Sequence, residues 1–165
     1  MDMKAAMKRI PPHSAEAEQA VLGAMLMNKE AITVASEILS GDDFYQTAYG
    51  ILFNSMVELF HAGKPVDLIT LQEYLKEKDV PPEISSMEFA RDLLMGTQTS
   101  ANIKSYPEIV REKSIMRRLI KVNEETANAC YLQNQPLEEI LEDAQKQVFA
   151  LAETGNSEEY VPIKQ

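Results

Sequence analysis

The residues of this chain that could do chemistry are few and scattered. Two histidines, His13 and His61, and one cysteine, Cys130, are all that metal or thiol chemistry could draw on. They lie far apart and form no zinc-ligand spacing, so no metal site is expected. Gly63-Lys64 is followed by Pro65 where a phosphate loop needs Ser or Thr, and neither G-x-G-x-x-G nor G-x-S-x-G occurs. Carboxylates are plentiful, and a pair such as Asp42-Asp43, Glu138-Glu139 or Glu142-Asp143 has the groups for general acid-base work. These pairs fall at helix starts or on polar faces, where helix electrostatics alone accounts for them. The chain is read as non-catalytic, with no cofactor of its own.

One basic concentration remains: Arg111, Lys113, Arg117, Arg118 and Lys121. Glu108, Glu112, Glu124 and Glu125 are interspersed with or follow them, so they read either as a solvated helix face or as a surface for an acidic neighbour. Without interleaved aromatics they are no nucleic-acid site, and the formal net charge of −10 repels phosphate backbones. Direct nucleic-acid binding is not expected. A lone cysteine allows no internal disulfide, which suits a reducing cytoplasm. The longest apolar run, AVLGAMLM at 20–27, is too short to cross a bilayer, and the first residues lead into Ile-Pro-Pro rather than a signal core.

At 165 residues and 45% apolar, the chain can fill a genuine core. The spacing of its apolar residues is helical nearly throughout. In RIPPHSAEAEQAVLG, Pro11-Pro12 fixes an extended approach and Ser14 caps a helix, with Glu16 and Glu18 near its positive end. Asn28 caps a second helix carrying Ala31, Val34, Ala35 and Ile38. A third runs from about Thr47 to Ala62, stopped by Gly63 and Pro65. Asp67 caps a fourth, reaching about Lys78, and a capping box Ser85-x-x-Glu88 opens a short fifth with Phe89, Leu93 and Leu94. These five form a helical head over residues 14–100, preceded by an arm at 1–13.

Beyond GTQTSAN, a capping box at Ser105 and Glu108 opens a helix to about Gln133, roughly 42 Å long. Ile109, Met116, Ile120, Ala127 and Cys130 repeat along one side of it. Asn134-Gln135-Pro136 then turns the chain into a last helix bearing Leu137, Ile140, Leu141, Ala144, Val148 and Leu151. The two make an antiparallel hairpin over 101–153, and residues 154–165 read as a linker. The expected fold is thus all-α, a compact multi-helix head followed by a long hairpin. A hairpin buries only its inner seam, so Val110, Leu119, Val122 and Phe149 need another surface, either the head or a second chain.

The ordered blocks RIPPHSAEAEQAVLG, DDFYQTAYGILFNSM, GKPVDLITLQEYL and SANIKSYPEIVREKSIMRRLI resemble the N-terminal domain of bacterial replicative DNA helicases of the DnaB type. The resemblance covers about Arg9 to Ile163. It implies a non-catalytic collar domain that joins subunits through hairpin pairing, from dimer up to hexamer, and docks the C-terminal domain of primase in DNA replication. It leaves room for a helicase loader, and places ATP, magnesium and catalysis in a RecA-like motor that this sequence does not contain. Carried over by position, the primase-facing residues are Glu16, Phe89, Ile120 and Thr126. The oligomer interface would draw on Ile109, Met116, Leu119, Leu141 and Val148. Members commonly have Gly-Gly where this chain has Ser85-Ser86, and a small apolar residue at Thr126. The alternative is a stand-alone helical scaffold or regulator with no motor.

Overall fold

A computed structural model describes residues 9–95 and 105–155. These form seven α-helices, one 3-10 turn and no strand: α1 (Ala15–Met27), α2 (Lys29–Ile38), η1 (Gly41–Asp43), α3 (Thr47–His61), α4 (Leu68–Glu77), α5 (Met87–Met95), α6 (Ser105–Leu132) and α7 (Leu137–Gly155). The all-α head and hairpin expected from the sequence are present. The GTQTSAN segment, most of the terminal linker and the start of the arm lie outside the described residues. Contacts divide the chain into two compact units, His13–Arg111 and a second that starts at Glu112 and includes the arm up to Pro12.

In the head, α1 is the hub, packing on α2, α3 and α5. Its small residues make this possible, because Ala17, Gly23 and Ala24 are buried and let neighbouring backbones come close beside Val21, Leu22 and Met25. Leu52, Phe53, Met56 and Leu59 of α3 and Leu71 and Leu75 of α4 complete the core. The caps follow the sequence closely. Ser14 Oγ accepts the Ala17 N–H at 3.1 Å, Asn28 Oδ1 that of Glu30 at 3.0 Å, and Asp67 Oδ1 that of Thr70 at 2.8 Å. The fifth cap differs: Ser86 Oγ accepts the Phe89 N–H at 3.2 Å, while the Ser85 hydroxyl donates back to the Pro82 carbonyl. The cap thus lies one residue later than the Ser85-x-x-Glu88 pattern indicates.

Between α3 and α4, Glu58 accepts hydrogen bonds from the Tyr74 hydroxyl and from Lys78 Nζ, the latter at 2.7 Å. The Lys78 bond, followed by that from Tyr74, holds the Glu58 carboxyl below the usual carboxylate range; the Thr70 backbone N–H does the same for Asp67. A depressed folded pKa contributes stability that is present above the unfolded value, about 4, and lost as pH falls through the folded one. Thermal midpoints are therefore expected to stay level from neutral pH down to about 5 and to fall below that. Glu58→Gln should flatten the fall. Glu58 is half exposed, so its share is under about 1 kcal/mol.

Gln133, at φ +51°, ends α6 in the left-handed region, its N–H bonded to the Ala129 carbonyl at 3.2 Å. The turn the sequence places at Asn134-Gln135-Pro136 thus starts one residue earlier. Burial distinguishes the two sides of α6. Val110 is buried among the head core residues and Val122 is buried within the second unit, as is Ile140. The side that carries Ile109, Met116, Ile120, Ala127 and Cys130 is exposed along its whole length. Both sides of α6 carry apolar residues at helical spacing, and periodicity alone does not say which side its own chain covers.

Candidate assembly and docking surface

On α6 the side chains of Met116, Ile120, Asn123, Ala127 and Cys130 follow one another at intervals of four and three, the spacing of a coiled-coil seam. Met116 and Ile120 are 40% and 43% exposed, and Leu119 lies beside them at 38%. Helix α7 repeats the arrangement with Leu137, Leu141, Ala144, Val148 and Leu151, of which Leu141 is 56% exposed and Val148 41%. Phe149, at 64%, stands with Val148, Ala144 and Ala152 along one shallow apolar trough of α7. Single exposed apolar residues are ordinary, but a row of them on each of two successive helices marks a surface made to be covered.

The charges beside this row are segregated. From Val122 to Gln145 there are six carboxylates, Glu124, Glu125, Glu138, Glu139, Glu142 and Asp143, and no Lys or Arg, while Lys113, Arg117, Arg118 and Lys121 precede Val122 on α6. Arg117 Nη1 donates to the Pro12 carbonyl at 2.7 Å, so part of this basic group secures the arm. Thr126 donates its hydroxyl to the Val122 carbonyl at 2.8 Å. What Thr126 offers outward is its methyl and the oxygen lone pairs.

The residues assigned by position fall on both units. Glu16 is exposed in the first turn of α1, and Phe89 on α5 is half buried, its ring 5.9 Å from that of Tyr49 against the head core. Ile109, exposed, is on the head's share of α6, whereas Met116, Leu119, Ile120, Thr126, Leu141 and Val148 belong to the second unit. Phe89 thus combines a packing role with a partly open edge.

Sequence reasoning missed Glu18. It is 1% exposed, and its two carboxylate oxygens accept the backbone N–H groups of Tyr45 and Gln46 at 3.0 and 3.2 Å. Gln46 precedes α3 with no side-chain cap of its own, so the buried carboxylate holds the approach to that helix. Tyr45 also stacks on His13, ring centroids 4.0 Å apart. A glutamate in the first turn of α1 reads as a dipole partner; nothing local reveals acceptors for a loop 27 residues away.

Among the described residues no three or more His, Cys, Asp or Glu side chains are placed to hold a metal ion, and no helix is long and apolar enough to cross a membrane. The fold and its surfaces define a class: an all-helical head followed by two long helices that each carry exposed apolar residues in a row. Residues 10–112 match the family described as the DnaB-like helicase N terminal domain. The chain belongs to that family. It is 38% identical over 156 residues to the replicative DNA helicase DnaC of Bacillus subtilis, covering 94% of this chain and 34% of the relative. Against the replicative DNA helicase DnaB of Pasteurella multocida it is 39% identical over 145 residues, 87% of this chain and 31% of the relative. The chain therefore spans about a third of the length of these relatives. The crystal structure of the N-terminal domain of DnaB helicase from Mycobacterium tuberculosis superposes with a TM-score of 0.79 at 30% identity, covering 85% of this chain and 99% of that one.

Proposed function

We propose that this chain is the non-catalytic collar domain of a bacterial replicative helicase, which joins subunits through its hairpin and docks primase. The observation that carries the reading is the exposed apolar row of α6 and α7 in a chain whose head already buries its own core. Paired with a second hairpin, the row would lose its contact with water, a gain of roughly 1.5 to 3 kcal/mol for each fully buried large side chain. A solved DnaB-like replicative helicase described together with its interactions with primase shares this fold, with a TM-score of 0.67 at 21% identity. In this reading, ATP and magnesium serve a motor outside the present sequence, a loader is a further candidate partner, and the assembly works in the cytoplasm.

The docking half is tested at Ile120. Ile120→Asp places a charge in the middle of the row without touching the buried Val122 side, so helix content measured by circular dichroism should hold. Affinity for the C-terminal domain of primase from the same organism, measured by calorimetry, should fall by about tenfold or more. Unchanged affinity removes Ile120 from the docking surface.

A further inference from the structure

We infer that the buried Asp43–Arg111 ion pair is the latch that seats the first two turns of α6 on the head, and that it acts on this foot of the helix rather than on the folding of the head. Asp43 ends η1 and is fully buried. Its Oδ2 accepts the Ser40 N–H at 2.8 Å, and its Oδ1 accepts from Arg111 Nη1 at 3.0 Å. Its mount is rigid, because the Gly41 N–H donates to Asn54 Oδ1 at 3.0 Å and the backbones of Gly41 and Gly50 lie in direct contact. The carboxylate is thus held by η1, itself fixed on α3, through contacts that do not involve Arg111.

The two sides of the pair differ in their access to water. The Asp43 side chain is 1% exposed and that of Arg111 is 19% exposed. Opening therefore carries the guanidinium outward into solvent while the carboxylate stays with its η1 partners, so the moving part is the foot of α6, residues 105–111. That foot brings few apolar anchors, with Pro107 and Val110 buried and Tyr106 packed at the edge of the core. The other head helices pack on one another through α1, α3 and α4. Arg111 is also the last residue of the head unit, which ends where this ionic contact ends.

Hydrogen exchange on the isolated chain, read by mass spectrometry, tests the latch with no partner present and so independently of the proposed function. In Arg111→Met, amides of residues 108–113 should exchange at least tenfold faster, while those of α1 and α3 stay within about twofold of the parent. Arg111→Lys, which keeps a cation within reach, should restore most of the protection. The double variant Asp43→Asn/Arg111→Met, which leaves no buried charge unpaired, keeps the test valid if the single variant is too unstable. It should show the same local loss. Equal acceleration through α1 and α3 in the double variant would make the pair a support of the head core and overturn the latch. So would unchanged exchange at 108–113.

Discussion

Glu18→Ala is expected to lower the stability of the head by about 3 kcal/mol or more. The substitution removes one acidic side chain, but what it leaves behind sets the cost: the N–H groups of Tyr45 and Gln46 lose part-buried bonds to a carboxylate that is itself 1% exposed. Each hydrogen bond to a charged group contributes about 1.5–3 kcal/mol, and the lost methylenes add a cavity. For a unit of this size that corresponds to a fall in the thermal midpoint of roughly 15 °C. Glu18→Gln keeps the shape and one acceptor, and sets its amide NH2 against the other N–H, so its loss should be intermediate. A second readout comes from Tyr49. Burial, and after it the negative charge of Glu18, pushes its phenol above the ordinary value, so Glu18→Gln should lower the Tyr49 titration. Melts of both variants with a loss below about 1 kcal/mol would mean that the loop finds other acceptors.

Gly50→Ala should cost a similar amount by a different route. A Cβ at Gly50 would run into the Gly41 carbonyl, and one at Gly41 would lie 2.7 Å from the Gly50 carbonyl oxygen. Neither obstacle is a flexible side-chain end, so η1 and α3 must separate, and overpacking of this kind costs about 3 kcal/mol. Because η1 carries Asp43, the damage should spread to the seat of Arg111. Chemical denaturation of Gly50→Ala checks this, with a lower midpoint at unchanged slope as the expected result. A midpoint equal to the parent's would show that α3 shifts without penalty.

These two residues also mark where the sequence stops being legible. Helix starts, stops and caps were readable because each depends on side chains within three or four residues: Ser14, Asn28 and Asp67 each cap the helix they precede. The shift from Ser85 to Ser86 shows the resolution of such signals, since adjacent serines offer the same chemistry. Glu18, Asp43–Arg111 and the Gly41–Gly50 contact depend on groups brought together by the tertiary fold, and composition carries no trace of them. The seam of α6 was ambiguous for another reason. Ile109, Met116 and Ile120 repeat as regularly as Val122 and its neighbours do, and which row stays open is decided by what the chain itself has left to cover them. The positions for Glu16, Phe89, Ile120 and Thr126 came from resemblance, and local pattern would have singled out only the two apolar ones.

If the open row on the hairpin is an assembly surface, light scattering after size exclusion will reveal it. The chain would be run over a range of concentrations, alone and with the C-terminal domain of primase from the same organism, beside Ile120→Asp. A dimer or larger species that gains mass with primase, and that shifts toward monomer in Ile120→Asp, is the predicted result. A parent chain that stays monomeric at every concentration and gains no mass would contradict the account.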